Sequence, residues 1–402
     1  MPAYRCKIAS ADGQMIERVI QSDSISSLKK QVALEGGFLV KSEKTRESSY
    51  LISFFNLQKI KPKDFYSFNQ EFLTLLRAGL PVVVALDGIL EKQDNNNFSR
   101  TLKRIREDIS GGESISDAFE KHEHIFSLLY IATLRSGEAS GNIPDALEEY
   151  LDYFERSIQI RQKIKAASVY PVILVCCSVF VVLFLMIFVV PTITGTFVSS
   201  GSQLPFFTRI LLDFSDLIRS YFWLGVGGII CMILGSSAYL RTAQGRLNFD
   251  SLYLKLPFIG NLSVIYSTSL FTSSLSTVLS GGLPLNQALH ISRGVIKNKF
   301  MQSGIEKAIR SIEQGKGVAQ AFGEVHIFPD MALRMMAAGE EGGTLEKVLK
   351  DIAGFFDKEV ASTLSILTST IEPVLMVLMG FIIGFIMLAM YMPIFQMAGA
   401  LG

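Results

Sequence analysis

One short stretch of this sequence occurs twice and determines how the rest of the chain is divided. TLLRAGLP at residues 74–81 returns as TVLSGGLP at residues 277–284, at an offset of 203. Phe68 and Phe271 match at the same offset on the N-terminal side of this stretch. Self-similarity at a fixed spacing is the signature of a duplicated structural unit. The sequence therefore predicts two copies of one domain.

The repeat continues, after a slip to an offset of 202, with a Gly-Glu-x-x-Gly motif. The motif consists of Gly137, Glu138 and Gly141 in the first copy and Gly339, Glu340 and Gly343 in the second. The same offset pairs Pro171 with Pro373 at the start of two apolar stretches. Each copy is thus a polar domain that leads into an apolar segment.

Apolar spacing and turn residues predict that each copy is an all-α bundle of about six short helices. Phe65, Phe68 and Phe72 follow helical spacing, and Asp64 is a candidate N-cap for their helix. A further helix is expected from Phe126 to Arg135, closed by the residues of the Gly-Glu-x-x-Gly motif. A long helix is expected from about Pro144 into the first apolar segment.

The Gly-Leu-Pro turn is expected to end one helix and start the next in both copies. Gly79 and Gly282 would supply a backbone conformation that other residues rarely adopt. Pro81 and Pro284 would stand in the first turn of the following helix, where a proline is tolerated.

Three stretches predict transmembrane helices at 166–191, 220–240 and 372–395, and they carry no charge apart from Glu372 at the start of the third. At 1.5 Å per residue, about 20 residues cross a hydrocarbon core of about 30 Å. Leu256 to Leu289 also lacks Asp, Glu, Lys and Arg, but it is rich in Ser, Thr, Asn and Gly. Hydroxyl groups and a Gly-Gly-Leu-Pro break favour soluble helices there.

The predicted topology places both copies on the cytoplasmic side of a bacterial inner membrane. Basic residues flank the first span on its N-terminal side and the second on its C-terminal side. They are Arg156, Arg161, Lys163, Lys165, Arg241, Arg246 and Lys255. The N-terminus would be cytoplasmic, 192–219 a periplasmic loop and 396–402 a periplasmic tail. The middle span returns the chain to the side of the first copy.

The predicted domains are completed by a small N-terminal α/β unit at residues 1–45. Tyr4 to Ile8, Met15 to Ile20 and Phe38 to Val40 resemble strands around a helix near 25–34. A linker at 46–62 follows. The first copy then covers 63–165 and the second covers 241–371.

Charge and motifs argue against nucleic-acid binding and catalysis. The 38 basic and 37 acidic residues give a net charge of +1, which is no electrostatic footprint for nucleic acid. The run Gln314-Gly315-Lys316-Gly317 lacks the first glycine of a phosphate-binding loop. We therefore predict a protein that is not an enzyme, needs no cofactor and depends on a partner for energy.

Three carboxylates of the first copy form a candidate calcium site. Glu148 and Asp152 are four residues apart on the long helix and share a face, and Glu91 follows the Gly-Leu-Pro helix. Oxygen ligands suit a hard cation such as calcium. The alternative is a solvated acidic face. The corresponding residues of the second copy are Gly294, Lys350 and Gly354.

Glu372 is the only charged residue between residue 360 and the end of the chain. It stands where the third predicted span begins. An ionisable group there is expected to be paired or functional. It would pair with a basic group of a partner or of the first copy, or lie at the membrane interface.

The doubled pattern resembles the type II secretion F domain, a family of inner-membrane platform proteins of type II secretion systems and type IV pili. The resemblance rests on the two turns of each copy and on Tyr170-Pro171 and Glu372-Pro373, and it covers essentially the whole chain. Residues 390–395 (MYMPIF) and 60–65 (IKPKDF) resemble the pilus branch more than the secretion branch.

The resemblance implies a platform that couples the motion of hexameric assembly and retraction ATPases to insertion or extraction of pilins or pseudopilins. It also implies other inner-membrane assembly proteins as partners and a homo-oligomer, dimeric or larger. Secretion-branch relatives have calcium ligands at the positions of Glu91, Glu148 and Asp152. A basic residue commonly precedes the counterpart of Phe271, whereas this chain has Ser269-Leu270. A secretion platform and a small transporter are the alternative functions.

Overall fold

The computed structural model describes two compact units, one N-terminal and one that holds both copies and the apolar helices. The described backbone covers residues 3–9, 15–21, 29, 38–44, 60–92, 97–192 and 205–400, and the described side chains lie within 29, 60–92, 97–192 and 205–392, except 222, 225, 226 and 229.

In its described residues, the N-terminal unit is an antiparallel sheet of three strands in the order β2-β1-β3. The strands are β1 Ala3–Ala9, β2 Met15–Gln21 and β3 Phe38–Lys44. The register between β1 and β3 shifts at Lys7/Ile8. The three predicted strands are confirmed, whereas the predicted helix near 25–34 lies outside the described residues apart from residue 29.

Within the described residues, the two copies share six helices in the same order, and one further helix precedes those of the second copy. Those of the first copy are α1 Pro62–Arg77, α2 Val82–Lys92, α3 Asn97–Ser110, α4 Ile115–Glu120, α5 Leu128–Ala139 and α6 Ile143–Phe184. The chain then passes through a π-helical turn, Leu185–Val189, and through α7, Phe206–Leu240, and α8, Ala243–Lys255. Those of the second copy are α9 Ile259–Ser280, α10 Leu285–Val295, α11 Lys299–Glu313, α12 Val318–Val325, α13 Asp330–Glu341 and α14 Leu345–Ala400.

Six glycines with positive φ end corresponding helices in the two copies. Among the described residues they form three pairs, namely Gly79 with Gly282, Gly112 with Gly315, and Gly141 with Gly343. At the first pair, the amide of the next residue donates to the carbonyl five residues back, from Leu80 to Leu75 and from Leu283 to Val278. This is the Schellman pattern, in which a left-handed residue satisfies the last carbonyls of a helix.

Three predicted helix boundaries are wrong by a few residues. Asp64 lies inside the first turn of α1, which begins at Pro62, so it is not the N-cap. Pro81 and Pro284 precede α2 and α10 and accept the first helical hydrogen bond through their carbonyls, because a proline can occupy the N-cap without losing a needed donor. Gly137 and Glu138 belong to α5 and do not form the turn that follows it.

The core of the first copy is built from aromatic rings around Tyr130. The centroid of its ring lies 5.3 Å from that of Phe65, 5.5 Å from that of Phe119 and 5.0 Å from that of Tyr150. The buried phenol donates a 2.7 Å hydrogen bond to the side-chain carbonyl of Asn69. These rings supply most of the apolar surface that fixes α1, α4, α5 and α6 against each other.

The core of the second copy is centred on α9, a helix that buries many hydroxyl groups. Thr268 and Thr272 each donate to a carbonyl four residues earlier in α9, both at 2.8 Å. Ser274 shares a 3.2 Å bond with Ser292. Hydroxyls satisfied in this way can be buried without an orphaned polar group.

Among the residues that the structure describes, three helices are long and apolar enough to cross a membrane: Ile143–Thr192, Ile259–Ser280 and Leu345–Met392. The most apolar parts of the first and third are only 6% and 11% buried, whereas that of Ile259–Ser280 is 67% buried inside the protein. A spanning helix leaves its apolar surface to lipid, so burial identifies Ile259–Ser280 as a core helix. The sequence interpretation of this stretch is confirmed.

The predicted second span, 220–240, lies within α7. This helix begins at Phe206, so the part of the predicted 192–219 loop from Phe206 onward is helical. Its first turns contact α14 and the π-helical turn, and the next helix, α8, packs on α9 and α11. Helix α7 therefore returns the chain to the side that carries both copies.

The π-helical turn and the residue after it pack with the first turns of α7 and the far part of α14 in one apolar cluster, which consists of Met186, Val190, Leu211, Ile386 and Ala389. Hydroxyls bond across the helices, since Ser215 donates to the carbonyl of Met186 and Thr208 to that of Ala389. The carbonyl of Met186 lies in the π-helical turn, where the regular helical bonding is interrupted.

Candidate functional site between the two copies

The Gly-Glu-x-x-Gly motif joins three helices inside each copy. In the first copy, Glu138 accepts hydrogen bonds from the amides of Ile115 and Ser116, at 2.8 and 3.2 Å, and from the Ser116 hydroxyl at 2.8 Å. In the second copy, Glu340 accepts from the amides of Val318 and Ala319 at 2.7 and 3.1 Å. Each carboxylate thus caps the N-terminus of a short helix, where negative charge is favoured.

The first glycine of the motif allows α5 and α13 to approach the long helices. A Cβ atom at Gly137 would lie 2.8 Å from the Cα of Ile143, and one at Gly339 would lie 2.9 Å from the Cβ of Val348. Both distances are shorter than normal contacts. The motif is therefore a structural joint in each copy.

The turn of the second copy also contacts the first copy. A Cβ at Gly281 would lie 2.8 Å from the hydroxyl oxygen of Ser136, which is on α5 next to Gly137. The first copy has Ala78 at the position of Gly281. Helices α9 and α10 pack on α5 at this point. The two predicted motifs, one from each copy, thus lie side by side.

Charged groups line the rest of the boundary between the copies, where α6 packs along α9 and α14. Lys350 on α14 forms a 3.1 Å ion pair with Glu149 on α6. Arg161 on α6 donates to the hydroxyl of Tyr266 on α9 at 3.3 Å. Exposed ion pairs contribute about 0–1 kcal/mol each. These polar contacts therefore add little stability and serve mainly to match the two copies to each other.

Two carboxylates lie at this boundary, Asp357 half-buried and Asp152 more exposed. Burial, reinforced by repulsion from Glu149, raises the pKa of Asp152, and the positive charges of Arg156 and Lys350 oppose the shift. Burial also raises the pKa of Asp357. A favourable position for an ionised group would lower its pKa, so both carboxylates are held where ionisation is disfavoured.

Asp357 has partners in both copies that oppose this shift. Ser269 on α9 donates a hydrogen bond to its carboxylate. The positive charges of Arg156 and Lys163 on α6 act in the same direction. Ser269 stands at the position where a basic residue was expected from the family resemblance. Its hydroxyl is used inside the protein instead.

The structure does not bring the three predicted calcium ligands together. Within the described residues, no group of three or more His, Cys, Asp or Glu side chains is placed to hold a metal ion. Glu148 forms an ion pair with Arg77. Asp152 lies near Arg156 on its own helix and near Lys350 across the boundary. A calcium site at Glu91, Glu148 and Asp152 remains a prediction of the sequence.

Glu372 and the two prolines lie on long unbroken helices. Pro171 is inside α6 and Pro373 is inside α14, next to Glu372. The side chain of Glu372 is exposed and makes no ion pair with another described residue. Of the alternatives for Glu372, pairing with the first copy is therefore not observed.

Comparison with known proteins explains the doubled architecture. A family model described as "Type II secretion system (T2SS), protein F" matches residues 68–191 and again residues 271–393. The chain belongs to this family. The two matched segments begin at Phe68 and Phe271, the pair at which the repeat was recognised, and they end near the far end of α6 and α14. The predicted family is thereby confirmed.

Relatives of this family with established names come from two kinds of machine. Type IV pilus assembly protein PilC of Thermus thermophilus is 32% identical over 100% of this chain and 99% of its own length. PilC of Myxococcus xanthus is 32% identical over 85% of this chain and 82% of its own length. Type II secretion system protein F of Vibrio cholerae is 29% identical over 99% of this chain and 98% of its own length.

The boundary between the copies was missed by sequence reasoning. Lys350 was noted only as the counterpart of Glu148, and Glu149 and Asp357 were not candidates. One signal could have found them, because charge reverses between Glu148 and Lys350 at matched positions of a repeat. A reversal of this kind is expected where the two copies contact each other.

Proposed function

We propose that this chain is the inner-membrane platform of a type IV pilus and couples the motion of cytoplasmic ATPases to insertion or extraction of pilin subunits. The observation that carries the proposal is the doubled family domain, each copy of which leads into an apolar helix. The N-terminus and both copies would be cytoplasmic and the C-terminus periplasmic. That the protein is not an enzyme stays a prediction.

Mechanical continuity supports coupling between the copies and the membrane. The last helix of each copy is also a membrane helix, so no flexible connection separates the two parts. Helix α14 runs without a break for 56 residues, from Leu345 to Ala400. At 1.5 Å per residue, a helix of this length extends about 84 Å. A rotation applied to the second copy would be transmitted along α14 to its far end.

The contacts between the copies support transmission from one to the other. Helices α6 and α14 pack together, and α5 contacts α9 and α10. An ATPase docked on one copy would therefore displace the membrane helices of both. Hexameric assembly and retraction ATPases are the proposed partners, together with pilins or pseudopilins, other inner-membrane assembly proteins and further copies of this chain.

The secretion platform is the second candidate, and the Vibrio cholerae relative favours it with 29% identity over nearly the whole chain. The 32% identity of two PilC proteins and the resemblance of residues 60–65 and 390–395 to the pilus branch favour the first.

Deletion of the gene in its own host tests the proposal. We expect surface pili, counted by electron microscopy, to disappear while secreted proteins in the medium stay unchanged. Loss of secretion with pili intact would favour the secretion platform. If pili and secretion both persist, the platform function is wrong. Crosslinking of the full chain to the assembly ATPase in membranes tests the proposed partner separately.

A further inference from the structure

A cavity of about 570 Å³ opens beside the point where α6 leaves the first copy. Its wall is formed by α6, α8, α9 and the segment between α10 and α11. One of these helices, α8, follows the middle membrane helix and has no counterpart among the six helices of the first copy. Duplication of the domain alone therefore does not produce this cavity. We call this cavity the juxtamembrane cavity.

The juxtamembrane cavity is strongly cationic. Arg161, Lys165, Arg246 and Lys297 line it, against a single carboxylate, that of Asp250. Asp250 is already engaged, since its carboxylate accepts a 2.6 Å bond from the backbone amide at the start of α11. Lys165 and Arg246 make no ion pair with any described residue. The cavity therefore presents positive charge that the protein itself does not neutralise.

The other side of the juxtamembrane cavity is apolar and open. The side chains of Phe249 and Tyr253 on α8 and of Ile259 at the start of α9 are 49%, 38% and 44% exposed. All three line the cavity. Large apolar side chains that remain exposed in a row mark a surface for lipid or for a partner.

The position of the juxtamembrane cavity matches the depth of phospholipid headgroups. Arg161 and Lys165 lie in the turns of α6 directly before the uncharged stretch 166–191. Helix α8 begins three residues after α7 ends at Leu240. The cavity thus adjoins two membrane helices where each leaves the apolar layer, and basic residues at this depth attract anionic lipid.

The third predicted span lacks these features. The residues of α14 that correspond to Arg161 and Lys165 are Thr363 and Leu367. At these two positions, positive charge is thus present on only one of the two duplicated membrane helices, the one beside the juxtamembrane cavity.

We propose that the juxtamembrane cavity binds one anionic phospholipid. The headgroup phosphate lies at Lys165 and Arg246, and an acyl chain follows Phe249, Tyr253 and Ile259. The bound lipid fills the angle between α6 and α8 and ties the second copy to the membrane helix of the first. The site would take such a lipid whichever filament the platform serves.

Photocrosslinking of the full chain in phosphatidylcholine nanodiscs tests the proposal. A photoactivatable phosphatidylglycerol is expected to label peptides of α8 and of the start of α9, identified by mass spectrometry. A photoactivatable phosphatidylcholine at the same fraction should label them several-fold less. Because each basic residue contributes to anionic lipid binding, the double variant Lys165→Gln/Arg246→Gln should lower phosphatidylglycerol binding roughly 10- to 30-fold.

Arg241→Gln is the matched control, because Arg241 follows the same membrane helix but does not line the cavity. It should leave labelling unchanged. Equal labelling by the two lipids, or unchanged labelling in the double variant, would overturn the proposal. So would loss of phosphatidylglycerol labelling on addition of inorganic phosphate at the concentration of the lipid probe, since the cavity would then be a site for free anions.

Discussion

The first copy packs many aromatic rings around Tyr130, whereas the second packs only a smaller aromatic cluster, Phe271, Phe322 and Phe328, against a hydroxyl-rich helix. Phe65, Tyr130 and Tyr150 have no aromatic counterparts in the second copy, where Thr268, Ala332 and Ile352 stand at their positions. The glycines that end the helices and the glutamates that cap them are nevertheless the same. The duplicated domain has thus kept its joints and three rings of its core, which are Phe271, Phe322 and Phe328 in the second copy, and it has exchanged the other rings.

The difference teaches which positions a fold cannot change. A left-handed turn needs glycine, and a helix N-terminus enclosed by protein needs an acceptor, so these residue types recur. Core positions need only complementary volume, which many combinations of side chains provide. The boundary between the copies is the third kind of position, at which the two copies must differ in order to fit each other.

The largest effects are expected at the glycines where helices approach closely. Gly137→Ala and Gly339→Ala should each lower the free energy of unfolding by about 1–3 kcal/mol, because the new methyl group has no space. Gly137→Ala should be the more destabilising of the two, since the nearest neighbour of its new methyl group is the backbone of Ile143. Chemical unfolding of the full chain in detergent, followed by circular dichroism, measures this.

Gly354→Ala is the matched control for the glycine variants. Gly354 lies in helix α14 with nothing near its would-be Cβ, so alanine should be neutral or slightly stabilising. Equal destabilisation by all three variants would mean that close approach is not what the motif glycines provide.

The aromatic core of the first copy should depend on one buried hydrogen bond. Tyr130→Phe leaves the side-chain carbonyl of Asn69 without its donor and should lower the free energy of unfolding by about 1–3 kcal/mol. Tyr66→Phe, which removes an exposed bond to Glu155, is the control and should have little effect. If both variants behave alike, the buried bond does not distinguish the first core from the second.

The two capping glutamates should contribute somewhat less to the free energy of unfolding than the features above, and their contributions should differ. Glu138→Ala and Glu340→Ala should each lower the free energy of unfolding by about 0.5–2 kcal/mol. The loss should be greater at Glu138, which accepts a third bond from the Ser116 hydroxyl. Glu341→Ala, beside the second cap but exposed, is the control. A larger effect at Glu340 would contradict this order.

The half-buried carboxylate of Asp357 should have a small effect on stability that depends on pH. Because burial raises its pKa in the folded state, the stability it contributes is present at low pH and is lost as pH rises through that pKa. Asp357→Asn should therefore raise the unfolding temperature at neutral pH, and the gain should vanish at acidic pH. Glu155→Gln, at the corresponding exposed position of the first copy, is the control. A gain that is the same at every pH would show that ionisation is not its cause.

Calcium should not stabilise the protein if the ion pair of Glu148 with Arg77 persists in solution. We expect the unfolding temperature of the full chain to be unchanged by millimolar calcium, since the predicted ligands do not come together. A rise that Asp152→Asn abolishes would contradict this expectation and restore the calcium site as a property of the first copy alone.

The sequence by itself determined the duplication, the membrane helices and the turns. Each of these depends on local chemistry, because uncharged length specifies a span and a glycine specifies a left-handed residue. The buried, hydroxyl-rich α9 was also recognised from composition alone. Helix ends near Asp64 and Pro81 were misplaced, because several nearby residues can cap or start a helix.

Only the tertiary structure decided what the motifs do and how the copies meet. Glu138 was expected in a turn, but its partners are the amides of Ile115 and Ser116, more than 20 residues earlier in the chain. The Glu149–Lys350 pair joins residues 201 positions apart, and the charges of the juxtamembrane cavity come from two helices and a connecting segment. Sequence spacing constrains a residue only with respect to its own helix, so contacts between helices follow from packing, which a single sequence does not specify.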